Sequence, residues 1–382
     1  MIFVLAVSVS GIALAQSPGV TETEILLGQS CALNGSARLL GTGIRDGALA
    51  YFRHVNATGG INGRKIRLIS MDDGYEPNAC IVNTKKLIDG EKVFLLFGYV
   101  GTVTSEAAVP IALENKVPFF SPISGARFLR IPVNRYVFNM RAGFLQETEA
   151  LVQKLIEEKG VSKIAVFYQN DDYGKARLES VRRTLASRNL QVFREVTYEP
   201  NTTAVEAAGR DLLASKPETV IMIGAYAPCA RLILMMKNWG SNTVFATSSF
   251  VGSDALGMQL SNKGVGVVIS QVVPYPYDKR VPLVAQYHKF TGQFVPQAET
   301  GYMGLEGFIA AKALCEIMKN IQAPFTRENF IMAAEKQSGT ELGGIKITFS
   351  PENHQGLNDV FFTQVVPGGF IKPVGNLEDL YN

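Results

Sequence analysis

The stretch "HVNATGGINGRKIRLISMDDGYEP", residues 54–77, places three glycines between a helical pattern and a strand pattern. The strand pattern covers residues 65–71. A helix that precedes a parallel strand must end and reverse, and glycine adopts the left-handed dihedral angles that a helix end requires. We therefore expect Gly59 or Gly60 to end the helix and Gly63 to form the turn. A phosphate-binding loop has the opposite order, because its glycines follow a strand and open a helix.

Strand-like and helix-like patterns alternate along most of the chain. A first series covers residues 25–120, and a second covers residues 141–248. Two such series predict an α/β protein with two Rossmann-like lobes, each built on a parallel sheet. Two later helical patterns, residues 281–291 and 303–319, need a sheet to cover, and the first lobe is the natural one. The chain is therefore expected to cross between the lobes more than once.

Composition and the N-terminal segment indicate an exported globular protein. The chain has 382 residues, a formal charge of +3 and charged residues at 19%, with acids and bases mixed, so neither nucleic acid nor an anionic membrane is expected as a partner. Residues 2–15, "IFVLAVSVSGIALA", are uncharged and end in an A-x-A pattern. We interpret residues 1–15 as a signal peptide cleaved after Ala15, although no Lys or Arg precedes the apolar run. The alternatives are a buried strand or a membrane anchor, for which the run is short.

The four cysteines are Cys31, Cys80, Cys229 and Cys315, and their spacing is not that of a zinc site. Cys31 should lie just past the first strand, and Cys80 on the helix after the second. Those two points can be neighbours in an α/β lobe, so Cys31–Cys80 is a candidate disulfide in an exported chain. The other two are expected to be small buried residues on helices.

The sequence does not contain the short motifs that mark common catalytic sites. It contains no G-x-S-x-G, H-E-x-x-H or Walker pattern, and its three histidines are scattered. Asp72 and Asp73 are adjacent, so on a strand their side chains point to opposite sides. We expect no enzyme activity, no catalytic residues, no metal and no cofactor.

Four segments together resemble the branched-chain amino-acid-binding proteins of ABC importers, which are type I periplasmic binding proteins. They are "NATGGINGRKIRL…DDGYEP", "LFGYVGTVTSEAAVP", "PFFSPISG" and "DDYGK", and the resemblance extends over residues 24–370. It implies a monomeric periplasmic protein whose two lobes, joined by three crossovers, close on a small molecule for an inner-membrane transporter, expected to be an ABC permease. The implied domains are the signal peptide 1–15, lobe 1 (23–141 and 272–356) and lobe 2 (142–271 and 357–382).

The predicted ligand site lies where strands end, because open α/β sheets bind ligands at the carboxyl ends of their strands. Thr102 opens a helix, which suits a carboxylate, although it could simply cap that helix. The resemblance implies that residues 123–125 hold the ligand through backbone groups and a hydroxyl and that Tyr173 closes over it, the alternatives being a plain polar turn and packing at a helix N-terminus. Tyr226, which follows the strand ending at Gly224, is the second candidate aromatic of this kind. The candidate ligand-binding residues are Leu40, Tyr99, Thr102, Ile123, Ser124, Gly125, Tyr173, Tyr226, Ser249 and Phe250.

Two departures from the family pattern concern the ligand. Amino-acid binders hold the ligand's ammonium with a carboxylate of the second lobe, which aligns with Ser249, and with a threonine of the first lobe, which aligns with Gly125. Burying an unpaired ammonium is costly, and Asp171, Asp172 or Asp254 would have to compensate. We therefore expect a neutral, aromatic, carboxylated or larger apolar ligand rather than a plain branched-chain amino acid. A sensory protein for a membrane receptor, or a carrier of apolar or lipid cargo, are alternative functions of the same fold.

Overall fold

In a computed structural model of the chain, residues 17–380 are described, and the predicted signal peptide lies outside them. The first sheet contains parallel strands in the order β2-β1-β3-β4-β5. The elements of this part of the chain are β1 (Glu24–Cys31), α1 (Arg38–Ala57), β2 (Lys65–Asp72), α2 (Pro77–Lys85), β3 (Leu95–Phe97), α3 (Thr102–Glu114), β4 (Phe119–Phe120) and β5 (Val137–Phe138).

The second sheet has the order β14-β13-β10-β9-β8-β6-β7. Its elements begin with α4 (Phe144–Lys159), β6 (Ile164–Gln169), α5 (Asp172–Ala186), β7 (Arg194–Tyr198), α6 (Glu206–Ser215), β8 (Thr219–Ile223), α7 (Tyr226–Asn238), β9 (Val244–Thr247), α8 (Ser253–Leu260) and β10 (Val268–Gln271). The chain continues with α9 (Pro282–Phe294), α10 (Tyr302–Lys319), α11 (Arg327–Glu335), β11 (Thr340–Glu341), β12 (Lys346–Ile347), β13 (Phe361–Val366) and β14 (Phe370–Pro373). Strand β13 is antiparallel to both β10 and β14, an edge that the alternating pattern does not predict.

Helices α9 and α10 pack on α1, and α11 packs on α10. We call the first sheet with these helices, α2 and α3 lobe 1, and the second sheet with α4–α8 lobe 2. The chain passes between the lobes after β5, after β10 and before β13. The α/β architecture with two lobes is therefore as predicted, while the exact residue boundaries of the domains stay a prediction.

The glycine turn between α1 and β2 confirms the expectation from the sequence. Helix α1 ends at Ala57, and the N–H of Gly60 donates to the Val55 carbonyl at 2.9 Å. Gly60 has φ +75°, and a Cβ there would lie 2.2 Å from the Arg64 carbonyl oxygen. Only glycine fits this position, because both the dihedral angle and the space exclude a side chain.

The predicted disulfide is wrong, because Cys31 and Cys80 are both free and buried. The Cys31 sulfur lies 3.9 Å from the Gly41 carbonyl oxygen on α1, whereas the Cys80 sulfur lies 3.4 Å from the Thr104 carbonyl oxygen on α3. The two thiols thus contact different helices. Burial raises the pKa of both, that of Cys80 to about 12. In residues 17–380, no helix has the length and apolar character needed to cross a bilayer.

Candidate functional site

An aromatic cluster lies where the two lobes face each other. The Phe250 ring of lobe 2 lies 6.2 Å from the Tyr75 ring of lobe 1 and 4.8 Å from the Tyr173 ring of lobe 2. The Phe144 ring follows at 5.8 Å from Tyr173. We call the space bounded by Tyr75, Phe144, Tyr173 and Phe250 the aromatic cleft. With the lobes in contact, the free volume beside Tyr75 and Phe250 is only about 10 Å³.

Tyr75 is a site residue that the sequence analysis missed. It lies in the turn after β2 with φ +66°, and its ring fills the place where a side chain on Gly101 would stand, 2.4 Å from that Cβ position. The signal was present, because "DDGY" follows a strand just as the other candidates do. Turn residues after β2 therefore belong to the same strand-end surface.

Two tyrosine hydroxyls of the aromatic cleft are buried without a hydrogen bond in the described structure, those of Tyr75 and Tyr173. Burial raises the pKa of both hydroxyls above the usual range. The nearby Gln169 side chain lowers the pKa of Tyr75 in part. Its amide nitrogen, however, donates to the Asp171 carboxylate at 2.5 Å, and its amide oxygen accepts from the Tyr198 hydroxyl at 2.9 Å. A buried donor without a partner is costly, so both hydroxyls are available to an acceptor on a ligand.

Thr102 and Ser124 meet at the lobe 1 side, with their hydroxyl oxygens 2.8 Å apart. The cap position of α3 is Gly101, which has no side chain, and Thr102 is the first residue of the helix, so the sequence alternative of Thr102 as the cap residue does not hold. Helix α7 of lobe 2 also begins without a side-chain cap, at Tyr226. Helix N-termini carry a partial positive charge, so one from each lobe can face a hydrogen-bond acceptor.

Leu40 and Tyr226 meet at Gly252. A Cβ on Gly252 would lie 2.7 Å from the Leu40 side chain and 3.3 Å from the Tyr226 ring. Leu40 belongs to lobe 1 and the other two to lobe 2, and Leu40 and Tyr226 are almost fully buried. These side chains close one end of the space between the lobes.

Two predicted residues, Tyr99 and Ile123, are part of the lobe 1 interior instead. The Tyr99 hydroxyl pairs with the Thr84 hydroxyl at 3.1 Å, and its ring lies 4.8 Å from the Phe119 ring. The Ile123 N–H donates to the Tyr99 carbonyl at 2.7 Å, and Ile123 has no exposed surface. The Tyr99 hydroxyl is thus used within the lobe, and a ligand contact of its side chain stays a prediction without support from these contacts.

Ser249 connects two buried ion pairs at the base of the site. Its hydroxyl accepts a 2.8 Å hydrogen bond from the Arg141 guanidinium, and its N–H donates at 2.8 Å to the Glu147 carboxylate. Arg141 forms an ion pair with Glu306 of α10 at 2.9 Å, and Arg177 forms one with Glu147 at 3.0 Å. These four charged residues were not predicted from the sequence, because they lie in separate segments and meet only in the folded structure.

Glu147 brings a buried carboxylate directly beside position 249. Burial alone would raise its pKa, but the guanidiniums of Arg177 and Arg141 and the hydrogen bonds from Ser249 and Ser270 outweigh burial, so the pKa lies below its usual value. The carboxylate is ionised and already paired. By contrast, burial holds the pKa of Glu306 above its usual value in spite of Arg141.

Gly125 is in direct contact with Phe144. A Cβ on Gly125 would lie 2.3 Å from the Phe144 ring, and the Gly125 carbonyl accepts the Phe144 N–H at 2.7 Å. The Arg177 guanidinium stacks on the other side of the cluster, 4.7 Å from the Phe144 ring centre. A threonine at position 125 is therefore excluded by the aromatic cleft itself.

The other carboxylates considered from the sequence are engaged or exposed. Asp171 caps α5 by accepting the Gly174 N–H at 3.0 Å. Asp254 accepts the Tyr302 N–H and the Tyr277 hydroxyl, both at 2.8 Å. Asp172 is exposed on α5. Residues 17–380 contain no group of three or more His, Cys, Asp or Glu placed to hold a metal ion.

Comparison with known proteins identifies the family. A family model described as "Periplasmic binding protein" matches residues 24–369. The chain belongs to the periplasmic binding protein family. The resemblance predicted from the sequence is thus confirmed, and this periplasmic binding protein is a member of a family of solute-binding proteins rather than enzymes.

Individual relatives of this periplasmic binding protein agree with the family. "Leu/Ile/Val-binding protein homolog 7" of Brucella abortus is 25% identical over 353 residues, 87% of this chain and 84% of the relative. An "Amino acid binding protein" of Pseudomonas aeruginosa is 24% identical over 236 residues, 61% of this chain and 62% of the relative. The crystal structure of "a possible leucine/isoleucine/valine-binding protein" from Rhodopirellula baltica has TM-score 0.89 and 32% identity, covering 94% of this chain and 98% of the other. A "Fatty acid ABC transporter substrate-binding protein" from Thermomonospora curvata, at 19% identity, TM-score 0.85 and 94% coverage of both chains, shares the fold.

Proposed function

We propose that the protein is an exported, periplasmic solute-binding protein that captures a small organic ligand between its lobes and delivers it to an inner-membrane transporter. The ligand is not a plain branched-chain amino acid. The observation that carries this is the pairing of Glu147, because a ligand's ammonium must compete with two guanidiniums for that carboxylate. The unpartnered hydroxyls of Tyr75 and Tyr173 favour a ligand that offers an acceptor and an apolar body.

The experiment compares leucine with 4-methylpentanoate, which is leucine without its amino group, by thermal shift. The panel also holds aromatic carboxylates and neutral amides. A ligand at 100 times its dissociation constant stabilises the folded protein by about 2.7 kcal/mol. We expect stabilisation by compounds without an ammonium and none by leucine or valine. Stabilisation by leucine and not by 4-methylpentanoate would overturn the proposed ligand class.

Sensing for a membrane receptor is the second candidate function, and the fold serves both. Permease and ATPase genes beside this one favour import, whereas a kinase gene favours sensing. Co-purification with the permease, in the presence and absence of the ligand found above, separates the two functions directly.

A further inference from the structure

A second, larger space lies between the lobes on the other side of Leu40. Its volume is about 760 Å³. The first half of α1 and the start of α10 line it from lobe 1, while α8 and the turn before β14 line it from lobe 2. We call this space the flank cavity. Sites for small molecules span about 300–1,000 Å³, so the flank cavity is ligand-sized, whereas the small pocket beside Tyr75 and Phe250, at the edge of the aromatic cleft, has free volume for about one water molecule.

Leu40 borders both spaces. Its side chain lies against Gly252, 2.7 Å from the place of a Cβ, and Gly252 also lines the flank cavity. Leu40 is thus the residue that the flank cavity shares with the pocket at the edge of the aromatic cleft. Both spaces lie between the same two lobes, so opening the lobes would expose them together.

The wall of the flank cavity is mainly apolar. Met258 and Phe370 are 65% and 68% exposed at its edge, so they add apolar surface where the cavity opens. The further apolar lining residues are Leu39, Ala255, Met303 and Ile371.

The ionisable lining residues balance, with Arg38, Arg45 and Lys372 against Asp46, Asp254 and Glu299. Arg45 is paired with Asp46 at 2.7 Å, and Asp254 accepts hydrogen bonds from Tyr302 and Tyr277. The cavity therefore selects for apolar surface and not for net charge.

We propose that the aromatic cleft and the flank cavity form one elongated binding site. The cleft holds the polar end of an amphipathic ligand, at the Tyr75 and Tyr173 hydroxyls and the start of α3. The flank cavity receives an unbranched apolar chain that passes Leu40. This inference rests on the proposed function and narrows its ligand class to acyl-chain compounds.

The test is a chain-length series of straight-chain monocarboxylates, from butanoate to dodecanoate, measured by calorimetry on the full mature protein. Affinity should rise about fourfold per methylene that enters the flank cavity, the equivalent of about 0.8 kcal/mol. Ala255→Trp fills the cavity and should remove this rise while short members bind as before. Ala333→Trp is the matched control, since Ala333 is 6% exposed against 8% for Ala255 and lines a separate cavity on α11.

Met258→Asp is the second variant, because its exposed side chain can be replaced without disturbing the fold. It should weaken binding of long members and leave short ones unchanged. An affinity that is flat with chain length, or the same rise in Ala255→Trp as in the wild type, overturns the elongated site. Binding of short compounds without dependence on length would overturn this inference alone. Failure of every carboxylate and of the whole thermal-shift panel would overturn the proposed function as well.

Discussion

The Arg141 guanidinium donates a 2.8 Å hydrogen bond to the Ser249 hydroxyl, so a protein cation lies beside the residue that is predicted from the sequence to replace the family's ammonium-binding carboxylate. Arg141 comes from the segment between the lobes, and its ion-pair partner Glu306 comes from lobe 1. The chain thus places its own cation next to position 249.

Removing Arg141 should therefore destabilise the protein strongly. Arg141→Met leaves the Glu306 carboxylate buried and unpaired, which typically costs about 3–5 kcal/mol. The double variant Arg141→Met/Glu306→Gln removes both charges and should recover most of that loss. Urea unfolding followed by circular dichroism measures both. If the single and double variants were equally stable, Glu306 would not be a charged residue that depends on Arg141 as its ion-pair partner.

Removing the Tyr173 hydroxyl should leave the ligand-free protein as stable as before, or more stable by about 1 kcal/mol, because that hydroxyl is buried without a partner. Ligand affinity should fall at the same time. Tyr99→Phe is the matched control, since its hydroxyl is bonded to Thr84 and its loss should cost about 0.5–1.5 kcal/mol. The two unfolding free energies are compared in urea. A loss of stability in Tyr173→Phe as large as that in Tyr99→Phe would mean that the hydroxyl has a partner.

Asp73 should make stability depend on pH in the direction opposite to most carboxylates. Burial raises its pKa to about 6, against the opposing hydrogen bonds from Ser30 and the Tyr75 N–H. The unfolded value is about 3.9, so the folded state binds more protons between those values. The contribution of Asp73 is therefore fully present below pH 4 and is lost as the pH rises through 6. The wild type should gain about 1 kcal/mol over Asp73→Asn between pH 7 and pH 5.

Asp72, its neighbour, is the control. Its slight burial raises the pKa, but the Asn34 side chain and the N–H groups of Leu33 and Gly74 outweigh this and lower it. The stability that Asp72 contributes is thus present above its unfolded pKa and is lost on acidification. Unfolding curves at each pH should show the wild type losing its advantage over Asp72→Asn below pH 4. Parallel behaviour of the two variants would contradict the different environments of these carboxylates.

Introducing threonine at position 125 should destabilise the protein by about 1–3 kcal/mol, because its Cβ would overlap the Phe144 ring. In Gly125→Thr/Phe144→Ala the overlap is gone, so the double variant should be more stable than the sum of the single effects predicts. A double-mutant cycle measures this coupling, which exceeds about 0.5 kcal/mol for residues in contact. Additive effects would mean that the two residues do not meet.

The sequence predicted the alternation of strands and helices well, since buried parallel strands and amphipathic helices have distinct periodicities. The turn at Gly59 and Gly60 was predicted because a left-handed backbone angle at a helix end favours glycine, which is visible in the local sequence. The antiparallel edge formed by β13 and β14 was not predicted, because strand pairing depends on tertiary contacts that no periodicity encodes.

The site was predicted only where residues follow strands. The departure at Ser249 stays a prediction, and its partners Arg141 and Glu147 were not predicted, because contacts between distant segments leave no spacing in the sequence. The Cys31–Cys80 prediction failed for a related reason, since adjacency of two elements does not tell which way their side chains point.

The close crossing of α1 and α10 decides when lobe 1 can be completed. A Cβ on Gly47 would lie 1.8 Å from the Gly304 carbonyl oxygen, so the two backbones touch. A chain made from its N-terminus presents α1 long before residue 319 has emerged, and distant contacts of this kind form slowly. Lobe 1 thus begins to form first and is completed late, because α1 has no packing partner on this side until α9 and α10 have been made.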